Sequence, residues 1–417
     1  MKGFLGNDDL GGFDQQSRLL LLNYTIFLFV SAGVGIFVNL YLWVNSLDIN
    51  DLIEYQLFSS LTVMPGFLVM LKYASRLRNA DIYRLGIVAY ILFIATLIVL
   101  QEKSVYYSWL LGVESGIAAG FLYAGYNSLT YQEINQKNRI LFNSWRSLFS
   151  NAVGILAPFV LGFIIVFFNH RGGYLIAYVV LLGILLYQLL NSMKITGNDH
   201  KSRIRLGSSF KIAFSNKNYP YIAGADVFWT MTGVIRGIVI SIFLFISSGS
   251  ALIVTSFWVL VASSQMIASF AVRRFMHGKL VSLAGLSNLV NILSSLGIVF
   301  YYNLAILAIF GILYGFSSTI TGVSYSTASM DVIDTDLNPK ENQYHYIIMR
   351  EYVLVFARLI GFGLTFYLFS RMNLDVAMRD LIVISALLSL ATWFVVFAFY
   401  RLRGSKRHGH LSLSIKN

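Results

Sequence analysis

Seven ionisable side chains lie inside long apolar stretches of this sequence, where solvation by water cannot explain them. The acids and arginines are Glu114, Asp226 and Glu351, and Arg146, Arg236, Arg350 and Arg358. A charge in lipid hydrocarbon costs about 2.5–3.5 kcal/mol or more, so each is expected to have a partner or a function. A desolvated carboxyl group favours its protonated form and can exchange a proton near neutral pH. An arginine can bind a carboxylate or a phosphate group.

The elements that carry these residues are predicted to be transmembrane helices. Of the 417 residues, 57% are hydrophobic and 12% are charged, about half the charged share of a soluble protein. The chain contains no cysteine, which excludes disulfides, thiolate metal sites and cysteine nucleophiles. A span needs about 20 apolar residues. We predict twelve, at about 18–44, 50–71, 82–100, 105–131, 140–168, 173–193, 219–247, 251–272, 280–300, 302–330, 345–370 and 377–400.

The basic residues predict the orientation of these spans. Most lie in the tails and the even-numbered loops, whereas the odd-numbered loops hold only Lys103, Arg171, Arg371 and Arg379. This bias predicts a multi-pass protein of the cell membrane with both termini in the cytoplasm. It accounts for the net charge of +12 without a nucleic-acid partner.

Two pairs of similar segments predict an internal repeat. NRILFNSWR (138–146) and NQYHYIIMR (342–350) both run from Asn to Arg and open spans five and eleven. GIAAGF (116–121) and GILYGF (311–316) lie in spans four and ten. We therefore expect two pseudo-symmetric six-helix bundles. The predicted boundaries are a tail (1–17), a first bundle (18–194), a basic linker (195–218), a second bundle (219–402) and a basic tail (403–417).

Twelve spans in two halves with cytosolic termini resemble the major facilitator superfamily of secondary transporters. After span two, Gly66 and the basic residues Lys72, Arg76 and Arg78 suit its loop signature, although the acid comes later, at Asp81. The segment GILAPFVLG (154–162) of span five is similar to the Gly-Pro signature of proton-coupled drug exporters, with Ala157 in place of a glycine. The resemblance implies alternating access around a midplane site lined by spans one, four, seven and ten.

Span seven carries the strongest candidate for substrate binding. Asp226, Trp229, Gly233, Arg236 and Gly237 follow helical steps and form one polar, aromatic and small stripe. We expect Arg236 to anchor the substrate. The alternative is helix packing through the glycines, with Arg236 bonded to a carbonyl or an acid.

Proton exchange is assigned to Glu114 or Asp226. The alternative for Glu114 is a structural ion pair, with Arg236 as the candidate partner. Further polar residues could line the cavity or make hydrogen bonds between helices; they are Asn23, Tyr123, Asn127, Tyr314, Ser317 and Ser318.

The remaining charges are assigned to gating. Glu351 and Arg358 are seven residues apart and therefore share a helix face. Arg146 and Arg350 lie about two turns inside their spans, where they could extend to lipid headgroups or latch the closed cytoplasmic side. We favour gating or structural roles over substrate contact for these four residues.

Other classes of protein find less support. The chain has no phosphate-binding Gly-rich loop followed by Lys and Ser/Thr, so ATP hydrolysis is not expected to drive it. The segment DVIDTD (331–336) is expected to be a solvated acidic turn rather than a metal site. We expect a monomeric, cofactor-free secondary transporter, a proton-coupled symporter or antiporter of a small solute, and not an enzyme. The alternatives are a lipid or glycolipid flippase of the same fold and a non-transporting sensor or scaffold.

Overall fold

The structure is a computed structural model. It describes residues 13–46, 49–73, 76–168, 171–197, 208–248, 251–275, 279–300 and 304–413, and this part of the chain contains helices and no strand. The helices are α1 (Gln15–Ser46), α2 (Ile49–Tyr73), α3 (Asn79–Leu100), α4 (Ser108–Glu133), α5 (Arg139–Phe167), α6 (Arg171–Ser192), α7 (Ser209–Ser215), α8 (Tyr219–Ser248), α9 (Ala251–Phe275), α10 (Leu280–Phe300), α11 (Leu304–Asp331), α12 (Pro339–Arg371) and α13 (Leu374–Leu413).

The helix pattern confirms an all-α membrane protein with twelve long helices. Every helix except the seven-residue α7 has at least 21 residues. Within the described residues, nine stretches are long and apolar enough to cross a membrane, and one of them contains both α3 and α4. The predicted spans agree with the helices to within a few residues at most ends. The main difference is α13, which continues to Leu413.

The described chain divides into two compact units that do not coincide with the two halves of the sequence. Unit 1 contains residues 1–138, 152–212 and 338–351, and unit 2 contains residues 139–151, 213–337 and 352–417. The first part of α5 therefore belongs to unit 2, and the first part of α12 belongs to unit 1. The predicted tail and linker boundaries remain predictions, since residues 1–12, 198–207 and 414–417 lie outside the described part of the chain.

In unit 1, a row of glycines brings α4 against α2. Gly112, Gly116 and Gly120 are four residues apart and lie on one face of α4. A Cβ atom at Gly116 would overlap the carbonyl oxygen of Ser59, and one at Gly120 would overlap that of Val63. Only glycine permits this backbone approach, which is a common device between membrane helices.

In unit 2, α11 approaches α9 through the corresponding glycines. A Cβ atom at Gly315 would lie 2.8 Å from the carbonyl oxygen of Val261, and one at Gly311 would lie 3.0 Å from the ring of Phe257. Gly311 and Gly315 occupy the positions in GILYGF that Gly116 and Gly120 occupy in GIAAGF. The weak sequence repeat thus has the same packing function in each unit.

The second pair of repeated segments lies where α5 and α12 each contribute residues to the unit that mostly contains the other half of the chain. From Arg139 onward, NRILFNSWR (138–146) lies in the part of α5 that belongs to unit 2, residues 139–151, and NQYHYIIMR (342–350) lies in the part of α12 that belongs to unit 1. In unit 1, Tyr344 is buried among Phe67, Ile82 and Ala124, and its hydroxyl donates to Asn79 Oδ1 at 2.9 Å. In unit 2, Ile140 packs against a core that includes Val272 and Ile320.

Candidate functional site

Arg236 is the best-defined candidate, and the structure buries it inside unit 2. Its exposed fraction is 3%. Nε donates to Ser385 Oγ on α13 at 2.9 Å, and the guanidinium carbon lies 4.5 Å from the ring centroid of Tyr314 on α11. Among the described residues, no carboxylate lies within ion-pair distance of Arg236, and its buried Nη2 atom has no hydrogen-bond acceptor.

The predicted stripe on α8 is divided between two environments. Gly233 and Gly237 are exposed, and a Cβ atom added to either glycine would meet nothing within 4 Å. Asp226 and Arg236 are buried. Within the described part of unit 2, neither glycine therefore packs against a neighbouring helix, and open space lies beside the turn that carries Arg236.

Asp226 lies in an aromatic setting of its own. The Tyr325 hydroxyl on α11 donates a hydrogen bond to Asp226 Oδ1. The Trp229 ring centroid lies 5.5 Å from that of Tyr325, and the Trp229 ring also contacts the position of Gly322. Asp226 is 0% exposed, so its carboxylate is held in place by a phenol in a desolvated region.

A buried polar network in unit 2 centres on Asn288, which was not a predicted candidate, and includes Ser317, which was. Asn288 on α10 is 0% exposed. Its Nδ2 donates to Thr321 Oγ1 at 2.6 Å, and its Oδ1 accepts from Ser389 at 2.6 Å and from Ser317 at 3.3 Å. The network joins α10, α11 and α13 through one amide, which satisfies both ends of that amide inside the membrane.

Asn291 lies one turn further along α10. It is 0% exposed, and its Oδ1 and Nδ2 have no hydrogen-bond partner among the described residues. Since Asn288 pairs with Ser389 on α13 and with Ser317 on α11, the helical register brings Asn291 level with residues 385–386 and 314. Those positions include Ser385 and Tyr314, the two neighbours of Arg236. The spacing of Asn288, Asn291 and Ser295 on α10 is the sequence signal that could have identified this face.

The further polar candidates of the first half, Asn23, Tyr123 and Asn127, belong to unit 1. Asn23 is buried, and its Nδ2 donates to Leu19 O at 2.9 Å in its own helix. The backbone carbonyl oxygen of Asn23 accepts from Gln188 Nε2. Tyr123 and Asn127 are both half-buried, as expected for residues that share a face of α4. The Tyr123 ring packs edge-on against Phe27 at 5.7 Å.

Glu114 lies on α4 towards α3. Thr96 Oγ1 donates to its Oε1 at 3.4 Å, and the residue is only half-buried. The structure thus gives Glu114 a hydroxyl neighbour in unit 1 and gives Arg236 neighbours in unit 2. The suggested pairing of Glu114 with Arg236 stays a prediction.

The acidic segment 331–336 differs from its expectation as a solvated turn. Arg139 Nη1 lies 2.8 Å from Asp331 Oδ1 and 2.5 Å from Asp334 Oδ2, and the side chains of Arg139 and Asp331 are 3% and 8% exposed. Tyr400 donates to the second oxygen of Asp331 at 3.1 Å. The difference arises from tertiary packing. The start of α5 packs in unit 2 and places Arg139 next to the acidic segment, and no local pattern in that segment predicts this partner.

The four gating candidates do not form one cluster in the described contacts. Arg146 Nη2 donates to Ser326 Oγ at 3.0 Å, and one turn earlier Asn143 Nδ2 donates to Thr327 Oγ1 at 3.2 Å. Glu351 is 6% exposed and, like Arg350, belongs to unit 1. Arg358 is half-buried in unit 2.

Asp81, the acid that follows the basic residues of the loop after α2, makes ion pairs within unit 1. Asp81 pairs with Arg78 at 2.9 Å and with Arg84 at 2.5 Å. Arg84 in turn donates to the carbonyl oxygens of Ser192 and Ile195 at the end of α6, at 3.1 and 2.7 Å. This cation at a helix C-terminus ties α3 to α6 in unit 1.

No family model matches the chain. It is 25% identical over 357 residues to the uncharacterized protein YqgE of Bacillus subtilis, covering 84% of this chain and 83% of that protein. It is 30% identical over 169 residues to an uncharacterized protein in the sodM 3' region of Geobacillus stearothermophilus, covering 40% of this chain and 78% of that protein. The second match shows that this chain belongs to the same family as the Geobacillus stearothermophilus protein.

Solved structures show which fold the twelve helices form. A bacterial homologue of the iron transporter ferroportin matches with a TM-score of 0.69 and 13% identity, over 93% of this chain and 100% of that one. The fucose:proton symporter FucP of E. coli matches with a TM-score of 0.71 and 14% identity, over 93% and 98%. The human organic anion transporter MFSD10 matches with a TM-score of 0.63 and 12% identity, over 91% and 95%. This chain has the major facilitator fold.

The major facilitator fold agrees with the resemblance inferred from the sequence. It accounts for the paired glycine contacts of α4 and α11, which occupy corresponding places in the two halves. Among the described residues, no group of three His, Asp or Glu side chains could hold a metal ion. In unit 2, the Arg236 guanidinium and the Asn291 amide each have hydrogen-bonding atoms without a described partner.

Proposed function

We propose that this protein is a secondary active transporter of the cell membrane that moves a small anionic solute by alternating access, with both termini in the cytoplasm. The fold supports transport in general. Among proteins of similar structure, FucP is named a fucose:proton symporter and MFSD10 an organic anion transporter. The chemical class of the solute is argued from Arg236.

One observation carries the proposal for an anion. Arg236 is a permanently charged side chain, 3% exposed, with no carboxylate within ion-pair distance among the described residues. Ser385 and the Tyr314 ring hold its position but do not neutralise its charge. A buried charge without a counter-ion is costly, so a solute carboxylate or phosphate would supply the missing partner and gain binding free energy there.

The neighbouring residues fit this role. Gly233 and Gly237 leave open space beside Arg236, which provides room for a solute to approach the helix. Tyr314, Trp229 and the half-buried residues Tyr123 and Asn127 are retained as further binding candidates, as is Asn23. Asn291 is added, because it has an amide donor and acceptor without described partners at the level of Ser385.

Proton coupling is proposed at Asp226 first and at Glu114 second. Asp226 is fully buried and bonded to a phenol, so that gain of a proton would rearrange a defined contact with Tyr325. Glu114 has only Thr96 as a described hydrogen-bond neighbour. Gating is assigned to Arg146, Arg350, Glu351 and Arg358, together with the pair formed by Arg139 and the acidic segment.

The experiment is counterflow and pH-driven uptake in proteoliposomes with a panel of small carboxylates and phosphate esters. We expect counterflow of at least one anionic solute. Arg236→Ala is expected to lower its apparent affinity by at least tenfold, whereas Arg236→Lys retains part of it. Arg371→Gln, which removes an exposed charge at the end of α12, is the matched control and is expected to behave like the wild type.

Coupling is tested separately from binding. Asp226→Asn is expected to retain counterflow and to lose the response to an imposed pH gradient. Wild-type affinity in Arg236→Ala would refute the anchoring role, and a pH response that survives both Asp226→Asn and Glu114→Gln would refute the proton sites. Transport of lipid rather than of any soluble solute would favour a flippase.

A further inference from the structure

A pocket at one end of unit 1 is separate from every residue assigned above. Its volume is about 190 Å³, and its lining residues are Tyr41, Asn45, Leu97, Gln101, Glu102, Gly172, Leu175 and Tyr178. They come from the end of α1, the end of α3 with the 3₁₀ segment Gln101–Tyr107, and the start of α6. Engineered cavities of about 150 Å³ already bind benzene, so this space is large enough for a small organic ligand.

The pocket wall is aromatic and firmly held. The ring of Tyr41 lies 5.6 Å from that of Tyr178, at an interplanar angle of 90°, and 5.2 Å from that of Tyr174. The Tyr178 hydroxyl donates to Phe37 O at 3.2 Å, and Tyr41 and Tyr178 are 7% and 1% exposed. Two buried rings at a right angle form adjoining walls whose orientation does not depend on a ligand.

The charge of the lining has one sign. Glu102 is the only charged residue among the eight lining residues, and Asn45 and Gln101 provide the polar amides. A carboxylate and tyrosine rings in the lining of one pocket favour a cation, because the face of an aromatic ring is also negative. An anion would meet repulsion from Glu102 and no compensating base in the lining.

The backbone at the pocket is held in an unusual conformation. Gln101 has φ 48° and ψ −128°, and it is the non-glycine residue with positive φ in the described chain. Such a conformation costs about 1–3 kcal/mol and is found preferentially at ligand sites. Here it directs the chain from α3 into the segment that carries Glu102.

We propose that this pocket binds an organic ammonium group of the size of choline or ethanolamine, with Glu102 as its counter-ion and Tyr41 and Tyr178 as its aromatic walls. The group could belong to a free solute or to a lipid headgroup, and both sources present the same chemistry. This site is independent of the proposed transport site at Arg236.

The test is isothermal titration calorimetry of the full-length protein with choline chloride, against sodium chloride at equal ionic strength. We expect saturable binding of choline. The neutral isostere 3,3-dimethyl-1-butanol, which has the same shape without the charge, is expected to bind at least tenfold more weakly. Ethanolamine is expected to compete with choline.

Three variants make the test specific. Glu102→Gln, at an exposed position that leaves the core intact, is expected to weaken choline binding at least tenfold. Tyr178→Leu removes an aromatic wall and is expected to weaken it as well, with folding checked by thermal denaturation. Lys103→Gln is the matched control at the adjacent exposed position and is expected to retain binding.

Nanodiscs distinguish the two sources of the ligand. Weaker apparent binding of choline in phosphatidylethanolamine nanodiscs than in phosphatidylglycerol nanodiscs would identify a lipid headgroup, since the lipid would compete. Equal binding in the two would identify a free solute. The proposal is overturned if choline shows no saturable binding in detergent or in phosphatidylglycerol nanodiscs, if the neutral isostere binds equally well, or if Glu102→Gln binds as the wild type does.

Discussion

Replacing Arg139 by methionine is expected to be among the most destabilising single changes in unit 2. The change keeps a long apolar stem and removes the guanidinium that pairs with Asp331 and Asp334. The three side chains together carry a formal charge of −1 in the wild type. In Arg139→Met the two carboxylates remain, one of them 8% and the other 25% exposed.

The magnitude follows from burial. Breaking a buried pair by removing one partner costs about 3–5 kcal/mol, because it leaves uncompensated charge in a desolvated place. Asp331 retains the hydroxyl of Tyr400, and Asp334 is partly solvated, so we expect a loss of about 3 kcal/mol, at the lower end of that range. Asp334→Asn is expected to cost less than about 1 kcal/mol, since Arg139 and Asp331 can still pair and the lost contact is partly exposed.

The assay is chemical unfolding in detergent micelles, followed by tryptophan fluorescence. Trp145 lies in the same segment of α5, with the Arg273 guanidinium 4.1 Å from its ring centroid, and it reports on this region. A double-mutant cycle with Asp331→Asn should give a coupling free energy of about 1–3 kcal/mol. Arg78→Met, which removes a pair at a half-exposed arginine, is the control. A loss below about 1 kcal/mol in Arg139→Met, with no coupling to Asp331, would refute the reasoning.

Two further predictions concern helix packing. Gly120→Ala should lower the stability by about 1–3 kcal/mol through overpacking, because its Cβ would overlap the backbone of α2 at Val63; Gly154→Ala, in open space on α5, should be neutral or stabilising by up to about 1 kcal/mol. Asn288→Ala should cost about 1–3 kcal/mol, because it removes the amide that joins three helices. Ser287→Ala should change stability by less than about 0.5 kcal/mol, because the described hydrogen bond of its hydroxyl is to Ala284 O in its own helix. Thermal denaturation of each pair of variants checks both predictions, and equal melting temperatures within a pair would contradict them.

The bounds of the helices could be predicted closely because each long helix corresponds to one apolar run in the sequence. A long apolar run has few alternatives to a transmembrane helix, since unsatisfied backbone groups are excluded from lipid. The span predicted at 219–247 is α8, Tyr219–Ser248, and the helix predicted at 280–300 is α10, Leu280–Phe300. The short helix α7 was missed because seven residues in a polar linker carry no such signal.

The candidate site could be predicted only in part. Arg236 was identified because a cation in an apolar run is unusual at the level of sequence. Its neighbours Ser385 and Tyr314 are 149 and 78 positions further along the chain, and serine and tyrosine are unremarkable residues in a membrane helix. Asn291 was missed for a related reason: a single amide in a span is common, and its lack of described partners is a property of the packed bundle.

The sequence by itself determined the class of the protein, the number of its long helices and the two pairs of repeated segments, because hydropathy and glycine spacing are local or periodic properties. Tertiary structure decided what the repeats do and which charges meet. Glycines in GIAAGF and GILYGF prove to be contact points of α4 with α2 and of α11 with α9. The acidic turn at 331–336 proves to be the partner of Arg139, since the start of α5 packs in unit 2 rather than with most of its own half. Pairing between residues almost 200 positions apart depends on how whole helices pack, and no short segment of the chain contains that information.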